Sequence, residues 1–337
     1  MRLLFLLGVV KINKKQAEIE KLLLQHEKQV FKDLKKSYTQ ALADIKGRVL
    51  NLQNSLAELN AIDTTGYDEE SLKILQSMKQ SKIYQLNYQK ALEEQLNACV
   101  DVLKRDTVTN IQTYLGAMYN DSYLGILYNL NARGIPITTL VNPSLLAQSV
   151  NKKIDDMTFA QRINTNMNDF KKIVKAEISR GIANGSTYSE IAQQLSMATG
   201  EDLNKSKRIV RTEGSRVSSE ARLTSMRDAK EKGADIVKQW DSTLDGKTRP
   251  LHAELDQQIA EINKPFKVAG MEVEAPSMFG DPAEDCNCRC VVLSVPRWDI
   301  EKSKVRYNNE KDELIETKNY ADWKQGYYRR IEEEEMQ

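Results

Sequence analysis

An apolar stripe in the first part of the chain constrains the fold more than any other feature. From Leu34 onward, apolar residues recur at spacings of 3, 4, 3, 4 and 3, with lysine, glutamine and glutamate between them: Leu42, Ile45, Val49, Leu52, Leu56 and Leu59. A heptad repeat places such residues along one side of a helix. The pattern predicts a long helix that buries one narrow stripe, either within this chain or against a helix of another protein or a second copy.

The stripe ends at a break, after which a second amphipathic helix is predicted. Residues 63–66 read Asp-Thr-Thr-Gly and interrupt the repeat, and Asp68 before two glutamates is typical of a capped helix start. Apolar residues then recur at helical spacing from Leu72 to Leu103. Two long helices joined by a short turn pack antiparallel, so the sequence predicts a hairpin-like pair of helices.

The middle of the chain predicts shorter elements. Clustered tyrosines followed by two prolines, between residues 114 and 143, indicate shorter helices and a connection. Helical patterning resumes over residues 159–229, where hydroxyl residues ahead of Glu190 give a helix-start signal. Gly200-Glu201-Asp202 predicts an interruption of that pattern.

After Gly233 the pattern becomes one of short strands and turns. The predicted elements are strands at 236–240 and 291–295, a short helix at 250–256 and a hairpin at 266–273 bent at Gly270. The fold class predicted from these patterns is α+β. It consists of a long helical hairpin-like N-terminal region followed by a compact α+β C-terminal domain.

Three regions follow from this division. Residues 1–150 are predicted to form a helical arm that carries the heptad seam and docks on partners, 151–297 the α+β domain, and 298–337 a charged tail. The arm opens on the apolar run MRLLFLLGVV, which is too short to cross a bilayer core of about 30 Å as a helix. We therefore expect a buried start of the first helix rather than a signal peptide, and no membrane contact.

Charge narrows the functions open to the chain. Its 49 lysines and arginines against 48 aspartates and glutamates leave a formal net charge of +1, so any nucleic-acid surface must be local. A basic stretch at Lys205, Lys207 and Arg208 is the candidate for nonspecific contact with double-stranded DNA. Neither a GxxxxGK[ST] phosphate loop nor a GxGxxG motif is present, which argues against motor and kinase functions.

The strongest chemical signal is a concentration of metal-ligand side chains between Trp240 and Val292. Three of the four cysteines and one of the two histidines lie there: Cys286, Cys288, Cys290 and His252. Zinc prefers thiolate and imidazole ligands, so zinc is the candidate cofactor and these four residues are its candidate ligands. Alternate residues of a strand stand about 6.6 Å apart, so the backbone must turn to bring them together. Two of the cysteines with His252 are easier to assemble than all three.

Other interpretations of the same residues stay open. Asp285 and the preceding Pro282 can supply the turn that a metal site needs, but reduced cysteines also pack well beside a small β core without a metal. A cysteine near His252 and an aspartate would instead suit nucleophilic catalysis. The sequence does not distinguish one of the three cysteines as the nucleophile, so we assign no catalytic residue.

Several motifs occur together in an order that resembles a known family. Arg211-Thr212-Glu213 on a helix is followed by Trp240, Asp245, Thr248-Arg249, His252, Leu255-Asp256 and Asn287-Cys288-Arg289-Cys290. This set, over residues 159–295, resembles the head-morphogenesis domain of tailed phages, the Mu F-type minor capsid proteins. Two departures are Gln257, where the family often has glycine, and the additional Cys286.

The resemblance implies a minor protein of the phage head. Members of this family are associated with the portal, act in head assembly, and in some cases bind packaged DNA. The expected partners are therefore the portal protein, other head proteins and double-stranded DNA. The expected location is the virion, with the host cytoplasm during assembly.

The resemblance also assigns roles to particular side chains. His252, Cys288 and Cys290 would lock the strand-turn-helix region, with or without zinc, in front of a structural polar network that consists of Arg211, Glu213, Asp245, Thr248, Arg249 and Asp256. The alternative is a cysteine- or metal-dependent hydrolase or transferase that uses the region of His252, Cys288 and Cys290. Toxin modules are fused to some relatives of this domain. About forty residues follow Cys290, so we expect no room for one here.

Overall fold

The computed structural model describes residues 14–60, 63–80, 82–184, 186–300, 305–308, 313–316, and Ala321, Trp323 and Gln325. The apolar run at the N-terminus lies outside these residues. Contacts within the chain divide it into two compact units. Unit 1 combines Met1–Val30, Ile111–Thr158 and Arg208–Gln337, and unit 2 combines Phe31–Asn110 and Phe159–Lys207.

Helices occupy most of the chain before residue 232. They are α1 (Lys14–Asn60), α2 (Glu69–Gln80), α3 (Lys82–Ala132), α4 (Pro143–Val150), α5 (Phe159–Ala183) and α6 (Tyr188–Glu231). The predicted first long helix and the break after it are confirmed. The capped restart is confirmed too, because the Asp68 carboxylate accepts a hydrogen bond from the backbone N–H of Ser71 at 2.7 Å. The described helices contain no stretch that is long and apolar enough to cross a lipid bilayer.

The tyrosine-rich segment belongs to α3, which continues to Ala132 and buries Tyr114, Tyr119 and Tyr123 at helical spacing. The predicted connection and a shorter helix follow it, at residues 133–142 and in α4. The predicted interruption at Gly200 is wrong. Helix α6 passes through Gly200 without interruption. One glycine within a helix costs only about 1 kcal/mol, and the buried Leu195 on the preceding turn offsets it.

In unit 2, the apolar stripe of α1 is buried within this chain. Its buried face consists of Leu34, Tyr38, Ala41, Ile45 and Val49. Leu42 of the predicted stripe is half-buried, and the side chains of Leu52, Leu56 and Leu59 lie outside the described residues. The Tyr38 hydroxyl donates to the Asp202 carboxylate of α6 at 2.7 Å and lies 2.8 Å from the Ser206 hydroxyl. The stripe that is described therefore packs against helices of the same unit.

In unit 1, a three-stranded antiparallel sheet supports the site. The central strand β1 (Ile236–Asp241) pairs with β2 (Ile259–Ala260) on one side and with β5 (Val291–Pro296) on the other. The register places Trp240 opposite Val292. Two separate two-stranded hairpins are also antiparallel: β3 (Phe266–Val268) with β4 (Met271–Val273), and β6 (Val305–Asn308) with β7 (Glu313–Glu316).

Short helices fill the connections of unit 1. Helix α7 (Pro250–Leu255) begins after Arg249, and α8 (Pro282–Asp285) is capped by the Asp281 carboxylate, which accepts from the N–H of Ala283 at 2.9 Å. The predicted strands, short helix and hairpin are confirmed, and so is the α+β fold class. Strand β2, helix α8 and the hairpin β6–β7, which lies in the predicted charged tail, were not predicted, since elements of two to four residues are too short to give a periodic pattern.

The central strand also buries a charge. The Lys238 side chain is fully buried, and its ammonium group donates to the carbonyl of Glu274 at 2.8 Å and lies 4.9 Å from the centre of the Phe266 ring. Burial lowers the pKa of Lys238 to about 8, although the Glu274 carboxylate opposes the shift. A polar residue at this position is therefore part of the core of unit 1.

Candidate functional site

Three of the predicted metal ligands meet in unit 1. The ligand atoms of His252, Cys288 and Cys290 all lie within 4.8 Å of one another, and the three residues are buried. Nδ1 of His252 is 3.3 Å from Sγ of Cys290 and 3.6 Å from Sγ of Cys288. The two cysteines and one histidine that the sequence favoured are therefore adjacent.

Local structure explains how these side chains converge. Helix α7 carries His252 within one turn of its proline start, and Cys290 directly precedes strand β5, which pairs with β1. Between the cysteines the backbone turns at Asn287, whose φ of 56° lies in the left-handed region. Helix α8 ends immediately before this turn. The cysteines consequently do not follow a straight strand, and the expected backbone turn is present.

Cys286 lies outside this cluster. Its sulfur is 3.7 Å from the Thr212 hydroxyl of α6, and its side chain is half-buried rather than buried. The turn at Asn287 directs Cys286 away from the other two thiols. Among the four candidate ligands, the structure brings together His252, Cys288 and Cys290 and leaves Cys286 apart.

Aromatic rings form one wall of the cluster. The His252 ring stacks on Phe279 with a centroid distance of 4.9 Å, and both rings meet the fully buried Trp240 edge-on at 5.8 and 5.9 Å. The Trp240 indole N–H donates to the Ser242 hydroxyl at 3.0 Å, and that hydroxyl donates to the carbonyl of His252 at 2.6 Å. Ring packing thus fixes the imidazole of His252, and the hydrogen bond from Ser242 fixes the backbone of the same residue.

A carboxylate faces the other nitrogen of the imidazole. Oε2 of Glu284 lies 3.0 Å from Nε2 of His252, but the angles between them do not meet those of a hydrogen bond. Both atoms are buried, and neither has a hydrogen-bond partner among the described residues. Buried polar atoms without partners are rare in proteins, and a small change of angle would let Nε2 of His252 donate to this carboxylate.

The predicted polar residues divide into separate groups. Asp245 accepts hydrogen bonds from Thr248 at 3.3 Å and from Arg289 at 2.8 Å. Burial alone would raise the pKa of Asp245, but the hydrogen bonds and charge of Arg289 lower it. Asp256 is buried and accepts from the N–H of Ser242 at 2.8 Å, so it holds the strand end next to the cluster.

Arg249 closes the loop that carries the cysteines. Its guanidinium donates to the carbonyl of Glu284 at 2.9 Å and to the carbonyl of Cys286 at 2.6 Å. The Asp285 carboxylate holds the same loop from inside by accepting from the N–H groups of Phe279 and Gly280 at 2.8 and 2.9 Å. These bonds orient the segment between α8 and β5.

Glu213 and Arg211 have other partners on helix α6. Glu213 is buried and forms an ion pair with the buried Arg216 at 2.9 Å. Arg216 also contacts Glu220 at 2.9 Å and donates to the carbonyl of Ser149 at 2.7 Å. The Arg211 side chain is half exposed, and its guanidinium lies 3.7 Å from Glu27.

An open cavity of about 220 Å³ adjoins the cluster. Its lining combines the three cluster residues with polar and basic side chains: Thr243, Lys247, Thr248, Arg249, Asn287 and Arg289. A cavity of this size holds several water molecules. Solvent and small polar molecules therefore have access to one side of the cluster.

The two buried thiols differ in acidity. The hydrogen bond from Cys290, followed by the bond and charge of His252, lowers the pKa of Cys288 well below its usual value. Burial and the nearby Cys288 raise the pKa of Cys290. A thiolate is the form that binds metals or attacks electrophiles. Both cysteines are almost fully buried, which favours metal binding over nucleophilic attack.

The candidate DNA contacts lie on α6. Lys205 and Lys207 are half-buried, Arg208 is exposed, and the Lys207 ammonium lies 5.9 Å from the centre of the Phe31 ring. A single exposed cation in this stretch gives little phosphate-binding charge by itself. The role of these residues in DNA binding stays a prediction.

Residues 172–293 match the family described as Phage Mu protein F like protein. This segment is similar to that family, and we refer to it as the Mu F-like domain. It contains every residue of the cluster and the lining of the cavity beside it. The expected resemblance to phage minor head proteins is confirmed.

Two curated proteins are similar to almost the whole chain. The NAD(+)--arginine ADP-ribosyltransferase EFV of Enterococcus faecalis is 27% identical over 314 residues, which cover 93% of this chain and 60% of that protein. Minor head protein GP7 of Bacillus phage SPP1 is 25% identical over 315 residues, covering 91% of this chain and 96% of that protein. No solved structure matches the chain.

Several residues that build the Mu F-like domain were not predicted. Glu284 and Phe279 contact His252 from segments without a periodic pattern. Arg289, which binds Asp245, was recognised only as part of a family motif and not as a site residue. Arg216 lies on the same helix as the predicted Arg211, but only Arg216 is buried. Its position at i+3 from Glu213 and i−4 from Glu220 was the available signal.

Proposed function

We propose that this chain is a minor head protein of a tailed bacteriophage that associates with the portal during head assembly. The observation that carries the proposal is the similarity to minor head protein GP7, which extends over 96% of that protein and 91% of this chain. The Mu F-like domain supports the same class of function. A protein of this class acts through its surfaces, which agrees with a chain to which we assign no catalytic residue.

The similarity to the ADP-ribosyltransferase covers a region that is also similar to a head protein. This chain spans 60% of the length of that relative, whereas it spans nearly all of GP7. Both alignments cover more than nine-tenths of this chain, so the region shared with the transferase is also shared with a head protein. We therefore base the proposed function on the similarity to GP7, which covers nearly all of that protein.

We assign docking on partner proteins to the helical region at 1–150. Residues 151–297 form the compact α+β domain of the proposal. Helix α1 alone has 47 residues and α3 has 51, and helices of about 70 Å offer extended surfaces to other head proteins. In the Mu F-like domain, His252, Cys288 and Cys290 are buried in the domain's own core. Long helices are thus better suited than the domain core to contact partners.

Association with the portal is tested by coexpression. When the full chain is produced with the portal protein encoded by the same phage, we expect both to elute together at the size of the portal ring. A portal protein from an unrelated phage provides the control, because it should not retain the chain. Elution of this chain at its own size in both mixtures, with both proteins folded, would contradict portal association.

Nonspecific DNA binding is a second part of the proposal and has its own test. If Lys205, Lys207 and Arg208 each contact a phosphate, the logarithm of the binding constant should fall with the logarithm of salt at a slope of about −2.7. Arg208→Glu should reduce that slope by about 1, while Lys267→Glu, the same charge change at an exposed lysine of β3, should not. Binding that is unchanged between about 50 and about 300 mM salt would exclude phosphate contacts.

A further inference from the structure

We propose that His252, Cys288 and Cys290 of the Mu F-like domain bind a zinc ion. The three side chains come from two segments, α7 and the loop before β5, so an ion bound to them joins both to the sheet. The proposal concerns a site within unit 1 and is independent of portal docking. It rests on the geometry of the ligand atoms, on charge and on the partnerless atoms beside them.

The distances suit a tetrahedral zinc ion. With Zn–S of about 2.3 Å and Zn–N of about 2.0 to 2.1 Å, a sulfur and a nitrogen on the same ion stand about 3.6 Å apart. Nδ1 of His252 is 3.3 Å from the sulfur of Cys290 and 3.6 Å from that of Cys288. Both nitrogen-to-sulfur distances are therefore close to those of a zinc site, and all three ligand atoms lie within 4.8 Å of one another.

Charge balance supports a divalent cation at this position. Both cysteines are almost fully buried, and as metal ligands they would be thiolates, whose charges need a compensating cation. A zinc ion bound to two thiolates and one neutral imidazole is formally neutral. Thiolate ligands also exclude magnesium and calcium, which prefer oxygen.

The orientation of His252 explains the position of Glu284. When Nδ1 binds the metal, the remaining ring proton must be on Nε2, which lies 3.0 Å from Oε2 of Glu284. Nε2 then donates to this carboxylate after a small change of angle, and both partnerless buried atoms acquire a partner. A carboxylate behind a metal-bound histidine commonly fixes its tautomer and strengthens the metal bond. We assign this positioning role to Glu284.

The cavity supplies the fourth ligand. No fourth histidine, cysteine or carboxylate joins the group among the described residues, and the three ligands line the cavity of about 220 Å³. We therefore assign a water molecule to the fourth position. A zinc site with three protein ligands and one open position differs from a closed structural site of four protein ligands.

Metal analysis of the full-length protein tests the proposal directly. Protein purified without chelators should contain about one equivalent of zinc, and replacement by Co²⁺ should produce thiolate-to-cobalt charge-transfer absorption. Cys286→Ser is the matched control: it removes a thiol two residues from Cys288 that lies outside the cluster, and it should retain both signals. Cys290→Ser should lose them.

Glu284→Gln keeps the test informative if Cys290→Ser fails to fold. This variant leaves all three ligands in place and should weaken zinc binding about 10- to 100-fold in a chelator competition. Less than about a tenth of an equivalent of zinc in the folded wild-type protein, with no cobalt spectrum after Co²⁺ addition, would overturn the proposal. Equal loss of metal from Cys286→Ser and Cys290→Ser would overturn the assignment of the ligands.

Discussion

Replacing Trp240 with alanine is expected to lower the free energy of unfolding by about 3 to 5 kcal/mol. Trp240 is fully buried on the central strand, and its ring meets His252, Phe266 and Phe279 edge-on at 5.5 to 5.9 Å. Alanine would leave a large cavity between the sheet and the cluster. It would also remove the donor to the Ser242 hydroxyl. Urea denaturation of wild type and variant, followed by circular dichroism, measures the difference.

Trp298→Ala is the matched control for this prediction. Trp298 has the same side chain in the same unit, but it is 60% exposed on the short helix that follows β5. Its loss should change the free energy of unfolding by less than about 0.5 kcal/mol. Similar effects of the two substitutions would show that Trp240 is not the centre of the packing around the site.

Arg216→Ala is expected to lower the free energy of unfolding by about 3 to 5 kcal/mol. The guanidinium is 3% exposed and connects three groups: the carboxylates of Glu213 and Glu220 and the carbonyl of Ser149. Its removal leaves the carboxylate of Glu213, itself 1% exposed, as a buried charge without this partner. The cost of that charge exceeds the gain of the ion pair itself. Thermal and urea denaturation both report the effect.

Arg211→Ala provides the comparison on the same helix. Its side chain is 51% exposed and lies 3.7 Å from Glu27, so its loss should cost less than about 1 kcal/mol. A double variant, Arg216→Met with Glu213→Leu, should recover much of the stability by removing both charges together. If Arg216→Ala were no more destabilising than Arg211→Ala, the buried pair would not stabilise unit 1.

The sequence predicts the larger elements well because they are long or bounded by strong turn residues. The heptad stripe indicates α1, and the turn residues around β1, α7, the hairpin at Gly270 and β5 define the α+β part. The end of α3 is predicted poorly, because its tyrosines are typical of several structures and only packing places them on one buried helical face.

The candidate site is partly predictable for a different reason. Residue type alone identifies His252 and the cysteines as candidate ligands. Selection of Cys288 and Cys290 over Cys286 depends on one backbone angle at Asn287, which the sequence does not indicate. Glu284 is even less predictable, because carboxylates are frequent and only the fold places this one behind the imidazole.

The order of segments in unit 1 has a consequence for synthesis on the ribosome. Glu20 of α1 pairs with Arg222 of α6, and the two residues are separated by 202 positions in the chain. At about 5 to 20 residues per second, roughly 10 to 40 seconds pass between their emergence. The segment that ends at Val30 is thus made early, but it cannot complete its unit until most of the chain has been translated. The segment Arg208–Gln337, which includes His252, Cys288 and Cys290, therefore sets the time at which unit 1 closes.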